Sequence, residues 1–258
     1  MKLPFRRIAG TLAVTAAVLG APWLGSRLVL RIACAQASQS KKLKLLSIAS
    51  ALGSTEASVM RAIEYFDAGK YAEAKAGFDK GIKRLPSYPV FYLYRAEIYK
   101  SQGNLRAALD DYNKAYILMG PFLREQVAKS GDIARAAADR GATLAAVSRG
   151  LHSRLLRGRG AVYASLGRFG DALVDVETAA QISPADWRIH AARAAAYSLI
   201  LQKKRAASDI KLAYKLGADK AGLEEEIASF PAPALKNLSR EIRKNEIRPT
   251  PPPRGRTP

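Results

Sequence analysis

"YASLGRFGDALVDVETAAQISP", residues 163–184, decides how the rest of the chain is read. Gly167 separates two stretches with apolar residues at helical spacing, and Pro184 closes the second. The segment therefore reads as helix, tight turn, helix. "YFDAGKYAEAKAGFDKGIKRLP", residues 65–86, has the same layout with Gly69 and Pro86 in register. Working outward, Tyr65 and Tyr99 are 34 residues apart, as are Tyr163 and Tyr197. A fixed period of this kind must be settled before any short motif is believed.

With tyrosine at position 11, the frames are 55–88, 89–122, 153–186 and 187–220. Position 8 is Ala62, Ala96, Gly160 and Ala194, and position 20 is Ala74, Ala108, Ala172 and Ala206. Position 24 carries Phe78, Tyr112, Val176 and Ile210, whereas position 27 stays small. Small residues recur where helices must touch. The turn position 15 is Gly69, Gly103, Gly167 and, in the fourth unit, Leu201. The expected fold is all-α, an α-solenoid of stacked helix-turn-helix hairpins.

This spacing resembles the tetratricopeptide repeat family, over four units covering just over half the chain. Position 4 departs from the family pattern, with Ser58, Tyr92, Leu156 and His190 where tryptophan is usual. The resemblance implies that first helices line a groove holding a peptide or helix, with positions 2, 5, 6, 9, 12 and 13 facing it. Carried onto this chain, it makes Ile63, Phe66, Leu93, Tyr94, Glu97, Arg154, Arg157 and Arg188 candidate groove residues, running from apolar to basic. The family's chaperone-binding clamp is not carried over, because its Lys and Asn positions here are Val59, Ile63, Tyr94, Arg154 and Gly158.

A motif recurs in phase with the period: "RAIEY" from Arg61, "RAEIY" from Arg95, "RGAVY" from Arg159 and "RAAAY" from Arg193. Position 23 is Asp111, Asp175 and Asp209 in the last three units, and Gly77 in the first. Positions 7 and 23 each lie eight residues from the turn, so at about 1.5 Å per residue they stand level on facing helices. Structural pairs are predicted for Arg95 with Asp111, Arg159 with Asp175, and Arg193 with Asp209. Their spacing reads as scaffold rather than ligand contact.

Residues 123–152 separate the second and third units and read as a degenerate, shortened repeat or as a helical insertion. A helix is expected within 38–54. Capping and basic C-terminal helices are expected over 221–246, opened by an N-cap at Asp219. "RPTPPPRGRTP" closes a Pro/Arg tail, 247–258, with a composition that cannot bury a core.

Residues 1–55 hold eight cations and no Asp or Glu. "MKLPFRR" and the apolar run 8–25 fit a signal peptide or membrane anchor over 1–37, with "AQA" offering cleavage before Ser38. The expected location is periplasmic, or the inner membrane facing the periplasm, ahead of the cytoplasm.

One cysteine excludes an internal disulfide, and two histidines starve a metal site of ligands. No P-loop, dinucleotide fingerprint or nucleophile–base arrangement is present, so no catalytic, cofactor-binding or metal residue and no cofactor is assigned. The function expected is a non-enzymatic protein–protein interaction scaffold of the bacterial cell envelope, binding a peptide or helical segment, acidic ones included. The net charge of +20 keeps a second class open, nucleic-acid or anionic-membrane binding through the basic surface and tail.

Overall fold

The computed structural model describes residues 39–51, 54–134 and 138–244. The expected leader at 1–37 and tail at 247–258 lie outside the described residues. Eleven α-helices are described: α1 Gln39–Ala51, α2 Thr55–Asp67, α3 Tyr71–Arg84, α4 Pro89–Ser101, α5 Leu105–Ala134, α6 Ala138–Ser165, α7 Phe169–Ile182, α8 Trp187–Leu199, α9 Lys203–Lys215, α10 Lys220–Ala228 and α11 Ala232–Lys244. The chain divides into two compact units, Met1–Gln102 and Gly103–Pro258.

In the first unit, Ser54 caps α2, its hydroxyl accepting from the Ala57 N–H at 3.1 Å. The chain then reverses at Gly69, whose φ of 71° suits a residue without Cβ, and α3 returns along α2. The two helices close tightly at Gly77, where a Cβ would stand 2.8 Å from the Ala62 Cβ. Helix α1 packs against α2 and buries Leu46 and Ala49. Lys42 pairs with Glu64, and the Ser50 and Ser58 hydroxyls share a 2.7 Å hydrogen bond. Helix α4 opens with Pro89 in its first turn, where the missing N–H removes no helical bond. It seats Phe91 against the bare Cα of Gly81.

The second unit begins with two long helices packed together, α5 of 30 residues and α6 of 28. The stretch 123–152 is therefore divided between them: its first part prolongs α5, its last part opens α6, and only 135–137 is undescribed. Helix α5 runs through Pro121, which has no N–H to offer the Ile117 carbonyl. The hairpins α6–α7 and α8–α9 follow, turning at Gly167 (φ 76°) and Leu201 (φ 61°).

Five helices, α6, α7, α9, α10 and α11, crowd α8. This explains its alanine content: Ala191, Ala192, Ala194, Ala195 and Ala196 are all buried, and a larger side chain would hold the neighbours apart. Asp219 caps α10, its carboxylate accepting from the Gly222 N–H at 2.8 Å. Helix α11 buries Ala234, Leu238 and Ile242 at four-residue spacing, leaving Lys236 and Arg243 exposed. Each of the two larger side chains stabilises this docking by about 1.5–3 kcal/mol.

Candidate protein-interaction face

Polar contacts in three repeating positions fix the hairpins, and with them the face made by their first helices. Arg159 meets Asp175 bidentately, Nε to Oδ2 and Nη2 to Oδ1, both at 2.7 Å. Arg193 meets Asp209 in the same way, at 2.8 and 2.7 Å. Both pairs tie the first helix of a hairpin to its second. Arg95 and Asp111, which share one repeat, fall in different compact units; within the first compact unit, Arg95 donates to Asp79 at 2.6 Å.

The contact to Asp79 belongs to a second register that the sequence reading did not identify. Position 25 is Asp79, Asn113 and Glu177 in the first three units, and each accepts from position 7 or 11 of the following unit. Asn113 Oδ1 receives Arg159 Nη1 at 3.2 Å and the Tyr163 hydroxyl at 3.4 Å. Glu177 receives the Tyr197 hydroxyl at 2.7 Å. Position 7 or 11 thus joins successive units, while the 7–23 pairs tie the two helices of a hairpin. The signal was present as an acceptor at position 25 of three units, replaced by Lys211 in the last.

A third register occupies the absent tryptophan's position in two of the four units. At position 4, the Tyr92 hydroxyl donates to the Pro86 carbonyl at 3.0 Å and His190 Nε2 to the Pro184 carbonyl at 2.8 Å. Since a carbonyl only accepts, Nε2 carries the proton, leaving Nδ1 facing Arg193 Nη2 at 3.4 Å.

Asp79 and His152 are among the groups that respond to this packing electrostatically. Burial alone would raise the Asp79 carboxyl, but hydrogen bonds from Lys75 and Arg95 outweigh it and hold it below the ordinary carboxylate value. Burial, reinforced by the Arg159 charge, lowers the His152 imidazole pKa, with Asp175 opposing.

The candidate groove residues divide. Leu93 is fully buried and Tyr94 nearly so, with Tyr94 stacked on Phe78 at 5.5 Å and edge-on to Phe66 at 5.2 Å. Neither lines an open groove; both pack the interior, because α4 buries almost its whole first two turns. Ile63, Phe66 and Glu97 remain partly exposed, Glu97 lying 3.3 Å from Lys100.

In the second unit, Arg154 is partly exposed, and Arg188 is exposed over the Trp187 ring at 4.7 Å. Arg157 is engaged by Glu226 of α10. Around that pair, α10 and α11 cover α8: Ala191 and Ala195 share one buried cluster with Leu223, Ile227 and Phe230. Asn237 adds a bond to the Ser198 carbonyl at 3.1 Å. Of the three arginines expected at the basic end of the groove, Arg157 is paired with the chain's own C-terminal segment, which covers the face of α8, while Arg154 is partly exposed and Arg188 exposed. Among the described residues, no group of three or more His, Cys, Asp or Glu side chains gathers as metal ligands, and no helix is long and apolar enough to cross a membrane.

No family model matches the chain, and a search of curated proteins finds no match. Solved structures do match. A MamA RS-1 ArsTM double mutant is 16% identical, with 74% of this chain and 93% of that one covered at a TM-score of 0.51. MamA residues 41 to the end from Desulfovibrio magneticus RS-1 is 14% identical, covering 81% and 93% at 0.49. YrrB, described as a TPR protein with an unusual peptide-binding site, is 15% identical, covering 74% and 86% at 0.46. With the eleven helices packed as sequential hairpins, the fold of this chain is tetratricopeptide-repeat-like.

Proposed function

We propose that the protein is a non-enzymatic protein–protein interaction scaffold of the bacterial cell envelope, which receives a peptide or helical segment on the face made by its first helices. The observation that carries the proposal is the seat of α10. There, α8 offers a floor of Ala191 and Ala195, while Arg157 of α6 holds Glu226 at the rim. The chain thus already uses this face to receive a helix, by small-residue contact and one charge pair.

In the first compact unit, Ile63 of α2, at the position of Ala195, and Phe66 are partly exposed, and Glu97 stands beside Lys100. This face suits a segment with apolar anchors. For an acidic partner, Arg157 is already occupied by Glu226, which leaves Arg154 and Arg188 as the basic candidates. The envelope location rests on the N-terminal sequence: a basic start, an apolar run and "AQA".

A photo-crosslinking residue at Ile63, compared with one at the exposed Val174, tests the face. Discrete adducts at Ile63 and none at Val174 support the proposal. Equal labelling at the two, or adducts at Val174 alone, removes it. Fractionation with N-terminal sequencing tests the location, and a soluble cytoplasmic product beginning at Met1 would remove that part.

A further inference from the structure

Three locally unfavourable choices meet at one hairpin tip. Position 15 turns with φ of 71°, 73° and 76° at Gly69, Gly103 and Gly167, yet the fourth tip uses Leu201 at φ 61°. Leucine in this region places Cβ against its own carbonyl. The strain buys no packing, since Leu201 is 71% exposed. Beyond it, α9 opens with Lys203, Lys204 and Arg205, all exposed, and has no acidic residue in its first turn. The equivalent helices α3 and α7 carry Glu73 and Asp171 there, the sign that the helix dipole favours; α5 carries no acidic residue there either, but α9 sets three cations in a row at that end. Conflicts between local preference and fold, gathered at one place, mark a site that answers to something outside the chain.

The neighbouring tip extends the feature. Leu166, at position 14 of the third unit, is also exposed, and α8 packs on both α6 and α7, so the two tips share an edge. Arg168 at that tip is compensated by Asp171 at 2.7 Å. Lys203 and Lys204 have no ion-pair partner among the described residues, and Arg205 lies over the Tyr197 ring at 5.6 Å. Asn237 bonds the end of α8, which brings the exposed Lys236 to the same end of the hairpin.

We propose that this edge docks on an anionic lipid surface, with Leu201 and Leu166 entering the acyl boundary and Lys203, Lys204 and Arg205 among the headgroups. Exposed aliphatic side chains beside uncompensated cations match a membrane interface. A single-stranded nucleic acid would call for exposed aromatic rings on which bases stack, and the two tips present leucines instead. This docking is independent of the peptide-binding face.

The test uses the full chain and flotation with phosphatidylcholine vesicles, with and without phosphatidylglycerol. Leu201→Gly restores the residue found at the other three tips, so its thermal midpoint should not fall below the parent's. Its affinity for anionic vesicles should drop about tenfold or more, as expected for one leucine withdrawn from an apolar phase. Lys203→Glu/Lys204→Glu should lose about a hundredfold at low salt, and binding to pure phosphatidylcholine should be unaffected by it. Parent-like affinity in Leu201→Gly overturns the proposal and assigns vesicle binding elsewhere, the N-terminal segment included. Binding of single-stranded DNA that is lost in the double charge variant but kept in Leu201→Gly, with no lipid difference, overturns it in favour of nucleic acid.

Discussion

Replacing Arg159 with methionine tests whether the repeating Arg-small-x-x-Tyr motif is structural. Methionine keeps most of the side-chain stem, so the change removes the guanidinium without opening a large cavity. Asp175 then stays within the hairpin with both bonds from its bidentate partner gone. The side chains of Arg159 and Asp175 are only 10% and 6% exposed, so water cannot replace the lost bonds without opening the structure. Stranding such a carboxylate costs about 3–5 kcal/mol. Losing the Tyr116 ring, 4.0 Å from the guanidinium, adds about 0.5–1 kcal/mol. The expected total, about 3.5–6 kcal/mol, is a large part of a typical domain's stability of about 5–15 kcal/mol. Urea unfolding followed by circular dichroism should show it as a lower midpoint with little change in slope. Arg168→Met supplies the comparison: its pair with Asp171 is half exposed on both sides, and the loss should stay within about 1 kcal/mol. Combining Arg159→Met with Asp175→Leu removes the stranded charge and should recover much of the loss, giving a large coupling energy in a double-mutant cycle. A loss below about 1 kcal/mol for Arg159→Met, or a double variant no more stable than the single one, would refute the reasoning.

Three further perturbations probe other parts of the fold. Gly77→Ala gains helix propensity of about 1 kcal/mol, but its Cβ meets the Ala62 Cβ at 2.8 Å, where only a shift of α2 from α3 relieves it. Overpacking of about 1–3 kcal/mol should win, read as a lower thermal midpoint, and a more stable variant would show that the helices separate freely. Leu201→Gly should raise stability by about 1 kcal/mol by relieving the left-handed backbone; a loss would reveal a packing role for the leucine. His152 gives a pH signature. Its folded pKa is lowered, so stability should fall as pH drops below the ordinary value of 6.5, where the unfolded chain takes up a proton that the folded chain resists. His152→Asn should flatten that part of the stability–pH curve, and an unchanged slope would contradict the burial of the ring.

The repeat was legible because it is written in small residues. A period of 34 with Ala or Gly at positions 8, 20 and 27 admits little except helices in close contact. The pairs Arg159–Asp175 and Arg193–Asp209 were legible too, since two residues equidistant from a turn are brought level by helix geometry alone. The link through position 25 was not. It joins one hairpin to the next, so its geometry depends on how hairpins stack, a quantity that no count from a turn supplies. Likewise, the frame closing at 122 marked a boundary, whereas α5 runs on through Pro121 to Ala134 and packs against α6, a partner that no local preference announces.

The candidate face shows the same division. Sequence placed Ile63, Phe66, Arg157 and Arg188 on first helices, and that much follows from periodicity. It could not show that Leu93 is interior, nor that Glu226 engages Arg157, because the two members of that pair are separated by 69 residues of chain. The sequence by itself determined the helical hairpins, their turns and the Arg–Asp bonds within the last two, all of which follow from spacing along one or two helices. Only the tertiary structure decided which parts of the first-helix face stay open and which are covered by α10 and α11, because burial depends on whatever else the folded chain brings to the surface.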